Sequence, residues 1–415
     1  MYNSECEIKS DTNGLYICQL AKCQPHSPIK APEVDTHVKI PAAALQNVLS
    51  ARGLDAATLA RRAGVSRAAL QRALRDDGEL NDEDIESIAH ELAVPVQALF
   101  ARQSLPLFPV VDFRSASPGV GEFAKGTLQA INFVERLSTT FSALGLDVAL
   151  DPRVKEFKTS TYSQKEAISL AAEWREKWGI KDSEQLDWQD ANKLYTSLRS
   201  FIEGLGVLVL HRQFKTDEAA GIYVHVDGGP HTIVINTTGS GKARKLFTLA
   251  HEFGHVLLRA EGASNPSVLK NRIEKFCNRF AACLLAPKRL IKKALERFGY
   301  SPRADDDWIR IFAKKIGLSQ EATFLRLVET DFLARTSYEQ WKTKFNNTNH
   351  VPTGDQGDGG GGGTANPIRD KQTQYGSALI SLLARARLSG AMDEIDIYRL
   401  CGLKPKYQDQ LFGVA

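Results

Sequence analysis

Cysteine and methionine are scarce in this chain: six and two residues among 415. So few cysteines over such a length, with no export signal, offer little for a disulfide framework and point to the reducing cytoplasm. Long hydrophobic runs are missing too. Stretches such as GVLVL and CLLA fall far short of the roughly 20 apolar residues that a bilayer demands, so no membrane partner is expected. The first residues, MYNSECEIKSDTNGLYICQLAKC, lack the basic start and apolar run of a signal peptide. An excess of charge of one sign is also absent. The formal net charge of +4 is too small to announce a nucleic-acid binder, so the distribution of charge has to be read instead. What is present, 43% hydrophobic and 25% charged residues, is ordinary for a globular chain, and the length suffices for two or three domains.

Residues 1–40 are polar, carry Pro25, Pro28 and Pro32, and show no period, so they read as an irregular leader. Cys6, Cys18, Cys23 and His26 cluster there, but their spacing matches no zinc-ligand pattern and they read as incidental. Residues 41–103 read as five short helices. Apolar residues recur three and four apart, Gly53, Gly64 and Gly78 mark the breaks, and Asp55, Ser66 and Asn81 are natural N-caps. A helical connector is expected over 104–159, with helices near 122–143, 163–178 and 188–203 before and after its end. Past Gly206 the period becomes strand-like: GVLVLHRQF reads as one strand, and GIYVHV and HTIVIN as a hairpin around a Gly-rich turn. A helix over 242–259 follows, then SVLKNRIEKFCNRFAACLLA, which stops at Pro287, then helices through 303–345. Residues 346–372 read as a Gly-rich flexible linker and 373–415 as a helical extension.

DAATLARRAGVSRAALQRAL has the anatomy of a DNA-reading helix pair, with a tight turn at Gly64 and Val65 pinning it. In that arrangement Arg67 and Gln71 face base edges, where each can make two hydrogen bonds to one purine. Arg61, Arg62, Arg72 and Arg75 then lie where phosphates are contacted. Residues 41–75 carry six arginines against Asp55, whereas 76–100 carry eight acids and no Lys or Arg. One basic face backed by an acidic helix suits DNA of modest affinity. The pattern over roughly 41–100 resembles the Xre/Cro-type helix-turn-helix regulators. Such proteins read paired half-sites, so a homodimer is the matching assembly. The rival reading is a helical bundle used for protein contacts.

KLFTLAHEFGHVLLRAEG, residues 245–262, carries the chemistry. Residues four apart on a helix project from one face, so His251 and His255 can offer imidazole nitrogens to one zinc ion. Glu252 lies one step round, where its carboxylate can take a proton from an attacking water as general base. Three protein ligands are needed. Glu261 occupies the metzincin position but points away if the helix continues. Glu274 in IEKFCNRFAACLLAP is the better placed carboxylate, with Glu261 and Glu296 as fallbacks. Asn278, one turn on from Glu274, can orient a ligand. Tyr223, His225 and His231 are oxyanion-stabilising candidates by position alone, and a structural role is the simpler reading of each. Cys277 and Cys283 read as core residues.

FTLAHEFGHVLL, preceded by what reads as an edge strand ending in IVIN and followed by E-x-x-x-N-x-F-A-A-x-L-L-x-P, resembles the ImmA/IrrE family of zinc metallopeptidases. The likeness extends over about 160–345, and the tail resembles an extension found in some members. It implies a mainly α fold with a small α+β zincin-like peptidase domain, behind an N-terminal five-helix helix-turn-helix bundle. His251, His255 and Glu274 become the Zn²⁺ ligands and Glu252 the catalytic base. The implied partner is a protein substrate, a helix-turn-helix repressor or antitoxin-like regulator of stress or mobile-element genes. DNA is the partner of the N-terminal domain. Two alternatives stand beside this: a non-catalytic regulator using the same fold as sensor or docking surface, and a zinc hydrolase of small molecules.

Overall fold

The structure is a computed structural model. It describes residues 37–76, 78–101, 124–146, 148–260, 262–264, 272–301, 305–348 and 366–413. The Cys6–His26 cluster, Glu261 and most of the Gly-rich linker lie outside them.

The N-terminal helices form where the breaks and caps place them: α1 (Ala42–Arg52), α2 (Ala56–Ala63), α3 (Arg67–Asp76), α4 (Asp82–Glu91) and a 3₁₀ turn at Val96–Phe100. Asp55 and Asn81 each accept a hydrogen bond from the backbone N–H three residues on, and Gly53 and Gly64 close their helices in the left-handed region that glycine enters freely. A short ribbon was not anticipated. β1 (His37–Lys39), inside the expected leader, pairs antiparallel with β2 (Glu79–Asn81).

The connector is less helical than its composition suggests. It has one long helix, α5 (Lys125–Ala143), and its described residues from 148 to 163 form no helix or strand. Next come α6 (Gln164–Trp178), started by a reciprocal Ser163–Glu166 capping box, α7 (Asp182–Trp188) and α8 (Ala191–Gly204). The helix expected near 188–203 is α8, and the short α7 before it, closed at Gln189 (φ 47°), was not anticipated.

Four strands follow: β3 (Leu208–Arg212), β4 (Gly221–Val224), β5 (Thr232–Asn236) and β6 (Gly262–Ser264), in the order β3-β5-β4-β6. β3 and β5 run parallel, and the other pairs are antiparallel. The IVIN strand is therefore interior, not the edge strand expected from the sequence. β6, which carried no strand signal, takes the outer place beside β4.

Alternate residues point to opposite faces of a sheet, and here each face belongs to a different core. Leu208, Leu210, Ile222, Val224 and Val234 join one that contains α1–α5 and the C-terminal helices. Val209, Tyr223, Ile233 and Ile235 join the other, with α6–α8, α9 (Lys242–Leu258), α10 (Arg272–Leu285), α11 (Lys288–Phe298), α12 (Asp306–Ile316), α13 (Gln320–Glu329) and α14 (Arg335–Thr348). The C-terminal helices are α15 (Pro367–Leu388), α16 (Glu394–Cys401) and α17 (Pro405–Phe412). α15 is kinked at Gly376 (φ 75°), where a Cβ would stand 2.1 Å from Glu203 Oε1. Ser377 N–H donates to Glu203 and Arg199 donates to the Thr373 carbonyl, which dock the kink on α8. Among the described residues, no helix is long and apolar enough to cross a membrane.

Candidate metal centre

α9 carries His251, Glu252 and His255, and all three are buried along with the apolar residues that seat the helix on the sheet. Its end builds part of the site. Arg259 adopts a left-handed conformation (φ 52°), and Ala260 turns back so that its N–H reaches the His255 carbonyl. That turn brings the Ala260 carbonyl 2.9 Å from His255 Nδ1, which donates to it. On α10, one turn beyond Glu274, Asn278 Oδ1 accepts from His251 Nδ1 at 3.1 Å. Both rings thus spend their Nδ1–H on a fixed acceptor and turn Nε2 to the same point.

Glu274 meets them there. His251 Nε2 and His255 Nε2 lie 3.1 Å apart, and each lies 3.2 Å from an oxygen of the Glu274 carboxylate. Ligand atoms about 2.0–2.1 Å from one tetrahedral zinc stand about 3.3 Å from one another. The three side chains already have that spacing, and among the described residues they form the one His/Cys/Asp/Glu group fit for a metal. The Glu274 side chain is fully buried, and among the described residues no group beyond the two imidazole nitrogens reaches its oxygens. Three ligand-type groups held together out of water are costly to bury, and a cation relieves that cost. The donor set fits a divalent metal.

Charges in the site respond to this crowding. Burial alone would raise the Glu274 carboxyl, yet the two imidazoles beside it hold it down at about 2. Its place in the first turn of α10 favours the anion as well. Burial pushes His251 below the usual imidazole range. Burial also acts on His255, but the Cys277 thiol and the Glu274 carboxylate beside it outweigh that and hold the ring well above its usual value. The proton kept on this pair is one that a divalent metal would displace.

Several residues that position the site carry no local sequence signal. A Cβ on Gly221 of β4 would stand 2.9 Å from Glu252 Oε1 and 2.7 Å from Thr248 Cγ2, so only glycine lets this strand pass the Glu252 side chain. A Cβ on Gly254, inside the His-Glu-x-x-His turn, would stand 3.2 Å from Cys277 Sγ and Phe280 Cδ1, so glycine permits the close approach of α9 and α10. The far end of α10 is anchored by side chains from distant segments. Arg175 donates to the Leu284 carbonyl at 2.7 Å, Gln185 to Leu285 at 3.0 Å, and Arg326 to Ala286 at 2.8 and 2.9 Å. They satisfy carbonyls that a helix C-terminus leaves without partners.

Tyr223 OH bonds His231 Nδ1 at 2.6 Å, and His231 stacks on His225 with ring centroids 3.8 Å apart. These three meet one another, and neither histidine belongs to the ligand group. Glu296 is exposed on α11 beside Lys292. Cys277 and Cys283 are buried. On the N-terminal helices Arg61, Arg67, Arg72 and Arg75 are exposed, and Arg62 and Gln71 partly buried. Arg52, counted in the basic total from sequence, is fully buried and bonds Glu135 of α5 through both guanidinium arms, at 3.0 and 2.6 Å. It adds nothing to a basic surface.

Comparison with known proteins falls on this same region. The peptidase M78 family model, described as the IrrE N-terminal-like domain, matches residues 202–327, from within α8 to within α13. A 107-residue stretch is 32% identical to the radiation response metalloprotease IrrE of Deinococcus radiodurans. That stretch is 24% of this chain and 31% of the relative, so the likeness spans about a third of the relative's length. The matched region is thus of metallopeptidase type, and a metal cofactor goes with it.

Proposed function

We propose that this chain is a zinc-dependent endopeptidase that cleaves a regulatory protein, joined to a helix-turn-helix that binds DNA. The observation that carries the first part is the convergence of His251 Nε2, His255 Nε2 and the Glu274 carboxylate at 3.1–3.2 Å in a buried position. Bound by these three, zinc would supply a Lewis acid that polarises a peptide carbonyl and acidifies water. The remaining work falls to the chain. The Asn278 amide and the Ala260 carbonyl fix the ring tautomers and aim both Nε2 atoms. Glu252, one residue round from His251, takes a proton from the attacking water. As the water oxygen bonds to the carbonyl carbon and the C–N bond breaks, Glu252 passes that proton to the leaving amine. Gly221 leaves the carboxylate the room to do so.

One observation favours a second reading, a non-catalytic regulator that uses the metal as a structural clamp. His251, Glu252 and Glu274 are 0% exposed and His255 1%, so a peptide reaches Glu252 only if the fold opens. Two measurements decide. Zinc content of the purified chain is expected near one per molecule, and lost in His255→Ala and Glu274→Ala. New protein N-termini are then mapped in cells producing the wild type or Glu252→Gln. The peptidase reading expects termini present with the wild type and missing with Glu252→Gln, although the variant keeps its zinc. Identical maps would leave the clamp.

The DNA-binding part rests on α2 and α3, which flank Gly64 (φ 71°), with the 6%-exposed Val65 in the turn and four arginines exposed. Binding of the full chain to a DNA duplex is expected to weaken steeply with salt. Arg72→Ala should reduce the log–log slope by about one. A slope unchanged by Arg72→Ala and Arg75→Ala together would assign this bundle to protein contacts.

A further inference from the structure

A second concave site lies away from the metal centre and shares no residue with it. A cavity of about 1090 Å³ opens between the end of α4, one flank of α5, the end of β3 and the start of α15. Arg136, Arg212 and Lys215 line it, with Asp370 as the single carboxylate. None of the three cations has an acidic partner. Arg136 reaches only the Arg399 carbonyl, at 2.9 Å. Lys215, exposed and held in the left-handed region at φ 59°, makes its hydrogen bond through the backbone to Thr238. Arg212 lies over the Phe133 ring, 3.6 Å from its centroid, and its Nε and Nη2 are buried with no hydrogen-bond partner.

Nε and Nη2 are the two parallel donors of one guanidinium edge, the edge that grips an oxyanion bidentately. Leaving both buried and unbonded costs free energy that turning the guanidinium to an anion in the cavity would remove. The rest of the wall is rich in amides, including Gln129, Asn132 and Gln374. The volume suits a small molecule, not a polymer. We infer that this cavity binds a small phosphorylated metabolite, with Arg212, Arg136 and Lys215 gripping its phosphate groups. Its walls come from the N-terminal helices, the sheet and the C-terminal extension, so the ligand would tie those three parts together. The site supplies the chain with an effector input that is independent of the peptidase reading.

The test is calorimetry on the full-length chain with two probes, inorganic pyrophosphate and ADP, at millimolar concentrations. Both are expected to bind. Tighter binding of ADP identifies a nucleotide-type ligand, and equal binding identifies phosphate chemistry alone. Each of Arg212→Gln, Lys215→Gln and Arg136→Gln should weaken binding by about tenfold. Arg244→Gln, an exposed cation outside the cavity and paired with Asp217, should leave it unchanged. Lys215 and Arg136 are exposed, so their variants carry the test even if the Arg212 variant fails to fold. No binding of either probe, or equal weakening in Arg244→Gln, would overturn the inference.

Discussion

Gly221 and Asn278 show how little side chain separates a competent site from a spoiled one. Gly221→Val would drive a branched side chain into the space of Glu252 and Thr248, which a Cβ alone would meet at 2.9 and 2.7 Å. The expected variant keeps its zinc and loses cleavage, a combination read by metal analysis beside an activity assay. Asn278→Ala removes the acceptor for His251 Nδ1–H. Metal affinity should fall about 10–100-fold, measured by competition with a chelating dye, and an unchanged affinity would show that Asn278 does not orient the ring. His251, Glu252 and His255 were legible in the sequence because helical spacing is a local property. Glu274 was legible from the amphipathic helix it opens and from the family resemblance, and Asn278 from its place one turn on. Arg175 was not, since its partner Leu284 lies 109 residues away and nothing near either residue announces the other.

Among the elements, the caps and glycines of 41–100 placed four helices and a 3₁₀ turn within a residue or two, because such signals act over three or four residues. Strand order could not be read the same way. β5 became interior because β4 and then β6 added beyond it, and a three-residue Gly-Ala-Ser segment carries no hydrophobic alternation. The attachment of α1 to α5 was equally hidden. Arg52 looked like one more basic residue, yet it bonds Glu135 and the Leu92 carbonyl in a fully buried position. Glu135→Ala should lower unfolding stability by about 3–5 kcal/mol, because it strands a buried guanidinium. The double variant Arg52→Met, Glu135→Leu should recover most of that loss. Urea denaturation distinguishes the two, and a single variant as stable as the double would show the charge to be solvated.

At the scale of the molecule, burial sets a pH dependence. His211, at the end of β3 and bonded to Tyr195 OH, is pushed down to about 3 by burial. Its unfolded value is about 6.5, so between those limits the unfolded chain binds a proton that the folded chain refuses. Stability therefore falls as pH drops below about 6.5, by up to about 1.4 kcal/mol per pH unit from this group. His211→Gln should flatten that fall between pH 6.5 and 5 in urea denaturation, and an equally steep fall in the variant would place the proton uptake elsewhere. His211 also looks both ways in the architecture. It lines the cavity beside α4 and α5, and its strand alternates between the core of the N- and C-terminal helices and the core that holds α9 and α10. The sheet is a single layer, so both cores grip the same peptide units. A pull on Leu208 or Leu210 from one side is a push on Val209 from the other. β5 pairs with β3 on one side and β4 on the other, and β4 carries Gly221, where a Cβ would meet Glu252. A displacement of one strand would therefore cross the sheet through its ladders, with no hinge between separate bodies. A shift of a few tenths of an ångström would alter the clearance around the Glu252 carboxylate.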